Sequence, residues 1–253
     1  MLSDQMELGT YLRSDPYLRE RLHPKPGDAT YLHLADLRLA IETVRTEAKI
    51  KLLDYGCGGS PYRSLFPNAD YNRADYLQSE TDKLEYILTE DSCVTEKDGT
   101  FDFVLSTQVL EHVTNPAFYL RECIRLLKNR GCLYITTHGT YPDHGCPYDF
   151  YRWTADGLVR DLKAVGFEIL RTEKHTTGPR AFFFNCDCQC DGLQIYRRTL
   201  FSLGLRAFRT TYRRFQPWLH RMCDSHFPNN RIVTQNLERH SLYIVAGCLA
   251  QKP

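Results

Sequence analysis

No stretch of the 253-residue chain comes near the roughly 18 consecutive apolar residues that a membrane-spanning helix needs. The opening residues, MLSDQMELGTYLRSD, lack the basic-then-apolar plan of an export signal. A cytoplasmic protein is therefore expected. A dominant charge is missing too: 32 basic and 31 acidic residues leave a formal net charge of +1. The chain as a whole thus carries no electrostatic signature of nucleic-acid or membrane binding, although charge can still be segregated locally. Among ten cysteines there is no pair at the two-residue gap typical of structural zinc. Most lie inside apolar runs, as Cys123, Cys132 and Cys248 do, so reduced and buried thiols are expected rather than disulfides. Cys186, Cys188 and Cys190 alternate and could hold a soft metal only with a fourth ligand from elsewhere. No metal site is expected.

What the chain does have is an ordinary 42% apolar content, enough for one large domain or a domain with a sizeable appendage. Residues 1–27 read as a short helix and a linker ending in His23-Pro-Lys-Pro-Gly27. Leu32, Ala35, Leu39 and Val44 recur at helical spacing after Asp28. Strands are expected at Ile50–Tyr55, Tyr71–Tyr76, Leu84–Leu88, Phe101–Ser106, Cys132–Thr137 and Phe167–Thr172, with helices beginning at Ser60-Pro61, Asn115-Pro116 and Thr154. Strands alternating with helices over some 120 residues imply a largely parallel sheet covered on both faces. In such α/β sheets ligands bind beyond the carboxyl ends of the strands.

The most informative strand end is LLDYGCGGS, Leu52 to Ser60. It lacks the Lys-Ser or Lys-Thr of a Walker phosphate loop, and Pro61 stands where a dinucleotide fingerprint has its third glycine. What remains is Asp54-x-Gly56-x-Gly58, an acid at a strand end followed by glycines that let backbone approach a ligand. Asp75, about 20 residues on, can accept both hydroxyls of a ribose. Glu90 or Asp91 can accept from an exocyclic amine. The fourth strand ends in Ser106-Thr107-Gln108-Val109-Leu110-Glu111-His112.

With these motifs in this order, the chain resembles the class I S-adenosylmethionine-dependent methyltransferases. LLDYGCGGS, ADY, DGTFDFVLSTQVLEHV and GCLYITT carry the resemblance across about residues 30–172. It implies a Rossmann-like, seven-stranded, mostly parallel sheet with an antiparallel last strand, here Ser241–Leu249, and S-adenosyl-L-methionine as cofactor, leaving as S-adenosyl-L-homocysteine. It further implies that Asp54, Gly56 and Gly58 pass the methionine moiety, that Asp75 and Tyr76 hold the ribose, that Glu90 and Asp91 border the adenine, and that Gln108 lies near the donor methyl. The family usually has aspartate at the position of Glu90, which leaves the choice between Glu90 and Asp91 open.

The acceptor side belongs to the long loop HGTYPDHGCPYDFYRW, His138 to Trp153, since long ordered loops in compact domains usually carry function. Tyr141, Pro142, His144, Pro147, Asp149, Tyr151 and Arg152 resemble the pattern of a methyltransferase subgroup met in bacterial glycan and secondary metabolism. Methyl transfer to a hydroxyl needs alignment and a proton acceptor, for which an imidazole is suited. His144 is the first choice, with Asp149 to orient it and Arg152 to pair with Asp149; His112 and His138 are rivals. The bland alternative is that Asp149 and Arg152 only brace the loop.

Residues 192–223 hold seven arginines and no acid, interleaved with Phe201, Phe208, Phe215 and Trp218 among others. This basic amphipathic helix could serve a solvated face, a homo-oligomer contact, an anionic membrane at the inner surface, or a phosphorylated or lipid-linked acceptor. Nucleic acid is less favoured because no RNA-binding motif accompanies it. The organisation expected is a helical cap (1–47), the cofactor-binding core (48–177), a basic helical insertion (178–240) and the core's last strand (241–253). The function expected is methylation of a small-molecule or glycan hydroxyl. Two other readings stay open: a catalytically silent cofactor-binding scaffold and a nucleic-acid methyltransferase. The absence of an Asn/Asp-Pro-Pro-Tyr/Phe motif after the fourth strand, where STQVLEHV stands, tilts the acceptor atom towards oxygen.

Overall fold

A computed structural model of the chain describes Tyr11 and residues 14–76, 82–89, 92–145, 148–193 and 200–253. Eight strands form one sheet in the order β3-β2-β1-β4-β5-β8-β6-β7. They are β1 (Lys51–Tyr55), β2 (Asp70–Asp75), β3 (Tyr86–Ile87), β4 (Phe101–Thr107), β5 (Leu127–His138), β6 (Glu168–Thr177), β7 (Ile232–Val233) and β8 (Tyr243–Gln251). β1 to β5 pair in parallel, whereas β8 runs antiparallel between β5 and β6, and β7 pairs antiparallel with β6. The antiparallel late strand is as expected. The count is eight rather than seven because Ile232 and Val233, inside the 178–240 insertion, add a two-residue edge to β6.

The helices are α1 (Asp15–Leu22), α2 (Tyr31–Glu42), α3 (Pro116–Leu126), α4 (Ala155–Ala164), α5 (Gly178–Gly192) and α6 (Leu200–His226). Asn115 and Thr154 open α3 and α4 by accepting from the amides of Phe118 and Gly157, at 3.1 and 3.0 Å. After Ser60-Pro61 there is only a 3-10 turn, Arg63–Leu65, not the helix expected there. Leu52, Leu53 and Tyr55 of β1 are fully buried, each worth about 1.5–3 kcal/mol of apolar burial. On one face Leu34, Leu37, Ala40 and Ile41 of α2 pack on Leu52, Tyr71, Leu105 and Tyr134. On the other, α3 and α4 cover Leu53, Val104, Leu133 and Ile135.

α2 is buried on nearly all sides, because its outer face, Tyr31 and Leu32, meets Ala181 and Phe184 of α5. Polar anchors fix this arrangement. Arg180 of α5 is wholly buried, donating to both oxygens of Asp36 at 2.6 and 2.9 Å and to Asp224 of α6 at 3.0 Å. Asp187 of α5 accepts from Gln216 at 2.9 Å and lies 2.9 Å from His220, both on α6. The amide of Gly27 in turn donates to Nδ1 of that histidine at 3.0 Å. The N-terminal cap and the insertion thus share one packed layer against the sheet.

The strand order runs outward in both directions from the β1/β4 pair, which makes their carboxyl ends the switch point at which such sheets open a crevice.

Candidate functional site at the switch point

The wall of the crevice beyond β1 is mostly backbone. Gly56 and Gly58 have φ of +77° and +52°, a region that favours glycine. The amides of Gly56 and Cys57 both donate to the carbonyl of Ala74, at 2.8 and 3.1 Å, which ties the turn to the end of β2. A side chain at Gly56 would come within 2.5 Å of Val109, while one at Gly58 would meet nothing within 4 Å. Gly56 is thus required by the protein's own packing, and Gly58 leaves open space. Asp75 closes the unit: one carboxylate oxygen accepts from the Gly58 amide at 2.7 Å. Tyr76, beside it, is exposed and hydrogen-bonds Ser92.

Asp54 is placed differently from its neighbours. It is buried, accepts from the Tyr71 hydroxyl at 2.7 Å, and has its pKa pushed up to about 7 by burial. Glu90 and Asp91, expected at the adenine, lie outside the described residues, as does Pro147 of the acceptor loop.

Gln108 leaves β4 with φ +57°, an unusual conformation for a residue with a side chain, and its amide donates to Thr136 of β5 at 2.8 Å. Its side-chain nitrogen lies 2.7 Å from Nε2 of His33, and its oxygen accepts from Arg21 at 3.4 Å. Burial, then the nearby Arg21 charge, pushes His33 down to about 3, so it accepts as a neutral ring. Neither Arg21 nor His33 stood out in the sequence. Each reaches Gln108 across 87 or 75 positions of chain, from helices whose local pattern announced only packing.

His33 also leads to the loop of residues 138–153. Its ring centroid is 5.7 Å from that of His138 and 5.3 Å from that of Tyr141. Tyr141 stacks on His138 at 3.8 Å, and His144 stands 4.9 Å from both His138 and His112. The three histidines considered as proton acceptors therefore form one cluster. Burial lowers the pKa of all three, furthest for His138.

The loop of residues 138–153 is held in shape by Asp149 and Arg152. The guanidinium donates to both oxygens of Asp149 at 2.5 and 2.6 Å and to the carbonyls of Tyr141 and Pro142 at 3.2 and 3.1 Å. Hydrogen bonding to Arg152 holds the Asp149 carboxyl well below the usual range. Asp149 also accepts from the His144 amide at 2.8 Å and lies 3.3 Å from its Nδ1. Asp149 and Arg152 thus position His144 as well as brace the loop. Beneath the cluster is Glu111, which the sequence reading passed over: it is fully buried, accepts from Thr137 at 2.8 Å and lies 3.0 Å from His138. A separate recess of about 680 Å³ between α3 and α4 touches none of the glycine-turn residues.

Cys186, Cys188 and Cys190 lie on one helix, α5. None of the nine cysteines among the described residues forms a disulfide.

Residues 30–172 match the model of a methyltransferase domain. The ubiquinone biosynthesis O-methyltransferase of Parvibaculum lavamentivorans is 28% identical over 170 residues, covering 62% of this chain and 55% of that protein. The chain spans about half the length of the curated relatives it matches, from 40% to 56% in the first three. Among solved structures, the cyclase SpnF superposes with a TM-score of 0.55 at 19% identity, over 98% of this chain and 96% of that one. An S-adenosylmethionine-dependent methyltransferase from Thermotoga maritima superposes with a TM-score of 0.54 at 12% identity, over 89% and 91%. At such identities the likeness establishes the fold.

Proposed function

Because the chain belongs to the methyltransferase-domain family, we propose that it transfers the methyl group of S-adenosylmethionine to a hydroxyl oxygen of a small-molecule or glycan acceptor. The observation that carries this reading is the meeting of two walls at one switch point. Gly56, Gly58, Asp75 and Gln108 form the donor wall, and the imidazoles of His112, His138 and His144 form the other, with His33 between Gln108 and His138. In the reaction the sulfonium–carbon bond breaks as the oxygen–carbon bond forms, the donor leaves as neutral S-adenosylhomocysteine, and the hydroxyl proton passes to an imidazole. His144 is the candidate acceptor of that proton, being half-buried, of lowered pKa by burial, and oriented through Asp149.

Oxygen as the acceptor atom also agrees with the O-methyltransferases among the relatives. The test is a screen of free glycans, nucleotide-sugars and phenolic metabolites for S-adenosylhomocysteine release. Release with one class supports the reading, and cofactor binding without release from any class supports a silent scaffold instead.

The exposed face of α6 bears on the class of acceptor. Phe201, Phe208 and Phe215 recur every seven residues and, with Trp218, are each more than half exposed. Arg206 with Arg213, and Arg214 with Arg221, repeat the same interval on exposed positions. Aromatic and cationic rows side by side suit the interface of an anionic membrane, and hence a lipid-linked acceptor. Arg197 and Arg198 of the same stretch lie outside the described residues.

A further inference from the structure

The acceptor wall contains polar atoms that folding has taken out of water without giving them partners. Glu111 Oε2 accepts from Thr137, but Oε1 of the same wholly buried carboxylate has no hydrogen-bond partner. That oxygen lies 3.0 Å from Nε2 of His138, 2% exposed, and yet the two do not form a hydrogen bond. On the loop above, Nδ1 of His144 is likewise buried and unpartnered, 3.3 Å from Asp149. One ligating atom from each of Glu111, His138 and His144 lies within 4.8 Å of the other two. Buried polar atoms are nearly always satisfied, so an unpartnered oxygen of a wholly buried carboxylate, with a ring nitrogen of each of two imidazoles near it, calls for a common partner. A cation would serve a carboxylate and two lone-pair nitrogens together.

We propose that Glu111, His138 and His144 form a site for one divalent transition-metal cation, with a further coordination position open to the crevice. Two imidazoles and one carboxylate are a ligand set of open, catalytic metal centres, and imidazole selects zinc, cobalt or iron over magnesium. Bonds of 2.0–2.2 Å in a tetrahedral site place ligand atoms roughly 3.4 Å apart. Closing on an ion therefore asks for up to about 1.4 Å of movement, for which the half-exposed His144 on its loop is best placed. The surroundings already supply outer partners, Thr137 on Glu111 and Asp149 beside His144, with Arg152 fixing Asp149. The role of the cation rests on methyl transfer as given under Proposed function and changes one assignment within it: the acceptor hydroxyl takes the open position, its pKa falls, and its proton passes to His112, the imidazole of the cluster outside the ligand set. His144 then acts as a ligand rather than as the base itself. Binding of the cation does not depend on that reading.

The test is titration of chelator-treated protein with Co²⁺, with S-adenosylhomocysteine binding measured on the same samples. One Co²⁺ per chain is expected, with the visible absorption of a four- or five-coordinate ion, displaced by Zn²⁺. H138Q and H144Q should each weaken uptake at least tenfold, and D149N by about tenfold as an outer partner. Should H138Q not fold, H144Q decides. Absence of stoichiometric uptake by the unaltered protein, or uptake unchanged in H144Q, overturns the proposal. Either result with S-adenosylhomocysteine still bound leaves methyl transfer standing, whereas cobalt uptake without product from any acceptor counts against methyl transfer alone.

Discussion

The two walls of the crevice are made of different material. The wall proposed for the donor is backbone: the amides of Gly56 and Cys57 on the carbonyl of Ala74, and a carboxylate held on the amide of Gly58, all within a few residues of two neighbouring strand ends. The wall proposed for the acceptor is side chain, assembled from α2, the turn after β4, the end of β5 and the following loop. Backbone geometry at strand ends depends on local sequence. A side-chain cluster depends on the whole fold. Each wall should therefore fail separately.

The largest effect is expected at the donor wall. Gly56→Ala forces a methyl to within 2.5 Å of Val109 at a φ of +77°. Strain of this kind costs on the order of 1–3 kcal/mol before the overlap is counted. Affinity for S-adenosylhomocysteine, read by calorimetry, should fall about 100-fold. Unchanged affinity would mean that the turn does not shape the donor site.

His144→Ala is the mirror experiment. Turnover should fall about 100-fold, whether the imidazole takes the proton or holds the cation, with donor affinity changed less than about twofold, because His144 touches the other histidines and Tyr141. Steady-state kinetics beside binding on one preparation check this. A parallel loss of donor affinity would merge the two walls into one.

This division also explains what the sequence could tell. The strand-end placement of Gly56, Gly58, Asp75 and Gln108 was legible because each ends or follows a recognisable strand within a few residues. Arg21 and His33 were not, since only tertiary packing brings them to Gln108. The same is true of Glu111, read as part of a motif but not as the floor beneath His138. β6 was foreshortened for a related reason. Expected to end at Thr172, it runs on to Thr177, with Glu173 and His175 both buried and lying 2.7 Å apart, and Tyr134 donating to Glu173 at 2.8 Å. Charged residues that satisfy one another inside the fold erase the apolar alternation by which a strand is read.

A third difference is in pH response. Burial raises the Asp54 pKa to about 7, above its value of about 4 in an unfolded chain. Between those values the folded state holds more protons than the unfolded, so stability contributed by this group is present below about pH 4 and is lost as pH rises through 7. The loss is on the order of 2–4 kcal/mol. Denaturant unfolding from pH 4 to 8 should show this decline, and Asp54→Asn should flatten it. An equal slope in the variant would assign the dependence elsewhere.

The smallest effect on the crevice is expected from α6, even though the changes there are the largest in bulk. Replacing Phe208, Phe215 and Trp218 together by serine removes three side chains that are 55–60% exposed. It leaves Arg180, Asp187 and His220, which anchor α5 and α6 to the rest of the protein, in place. Donor affinity and turnover on a water-soluble acceptor should stay within about twofold, since surface substitutions away from packed groups usually change stability by less than ~0.5 kcal/mol. Sedimentation with vesicles containing phosphatidylserine should fall tenfold or more, and in the unaltered protein should weaken with salt, because the arginine rows act through screened charge. If the triple variant lost turnover on the soluble acceptor, α6 would belong to the acceptor wall. If it sedimented as before, the aromatic rows would serve a contact between proteins, and the membrane would have to be sought on another face.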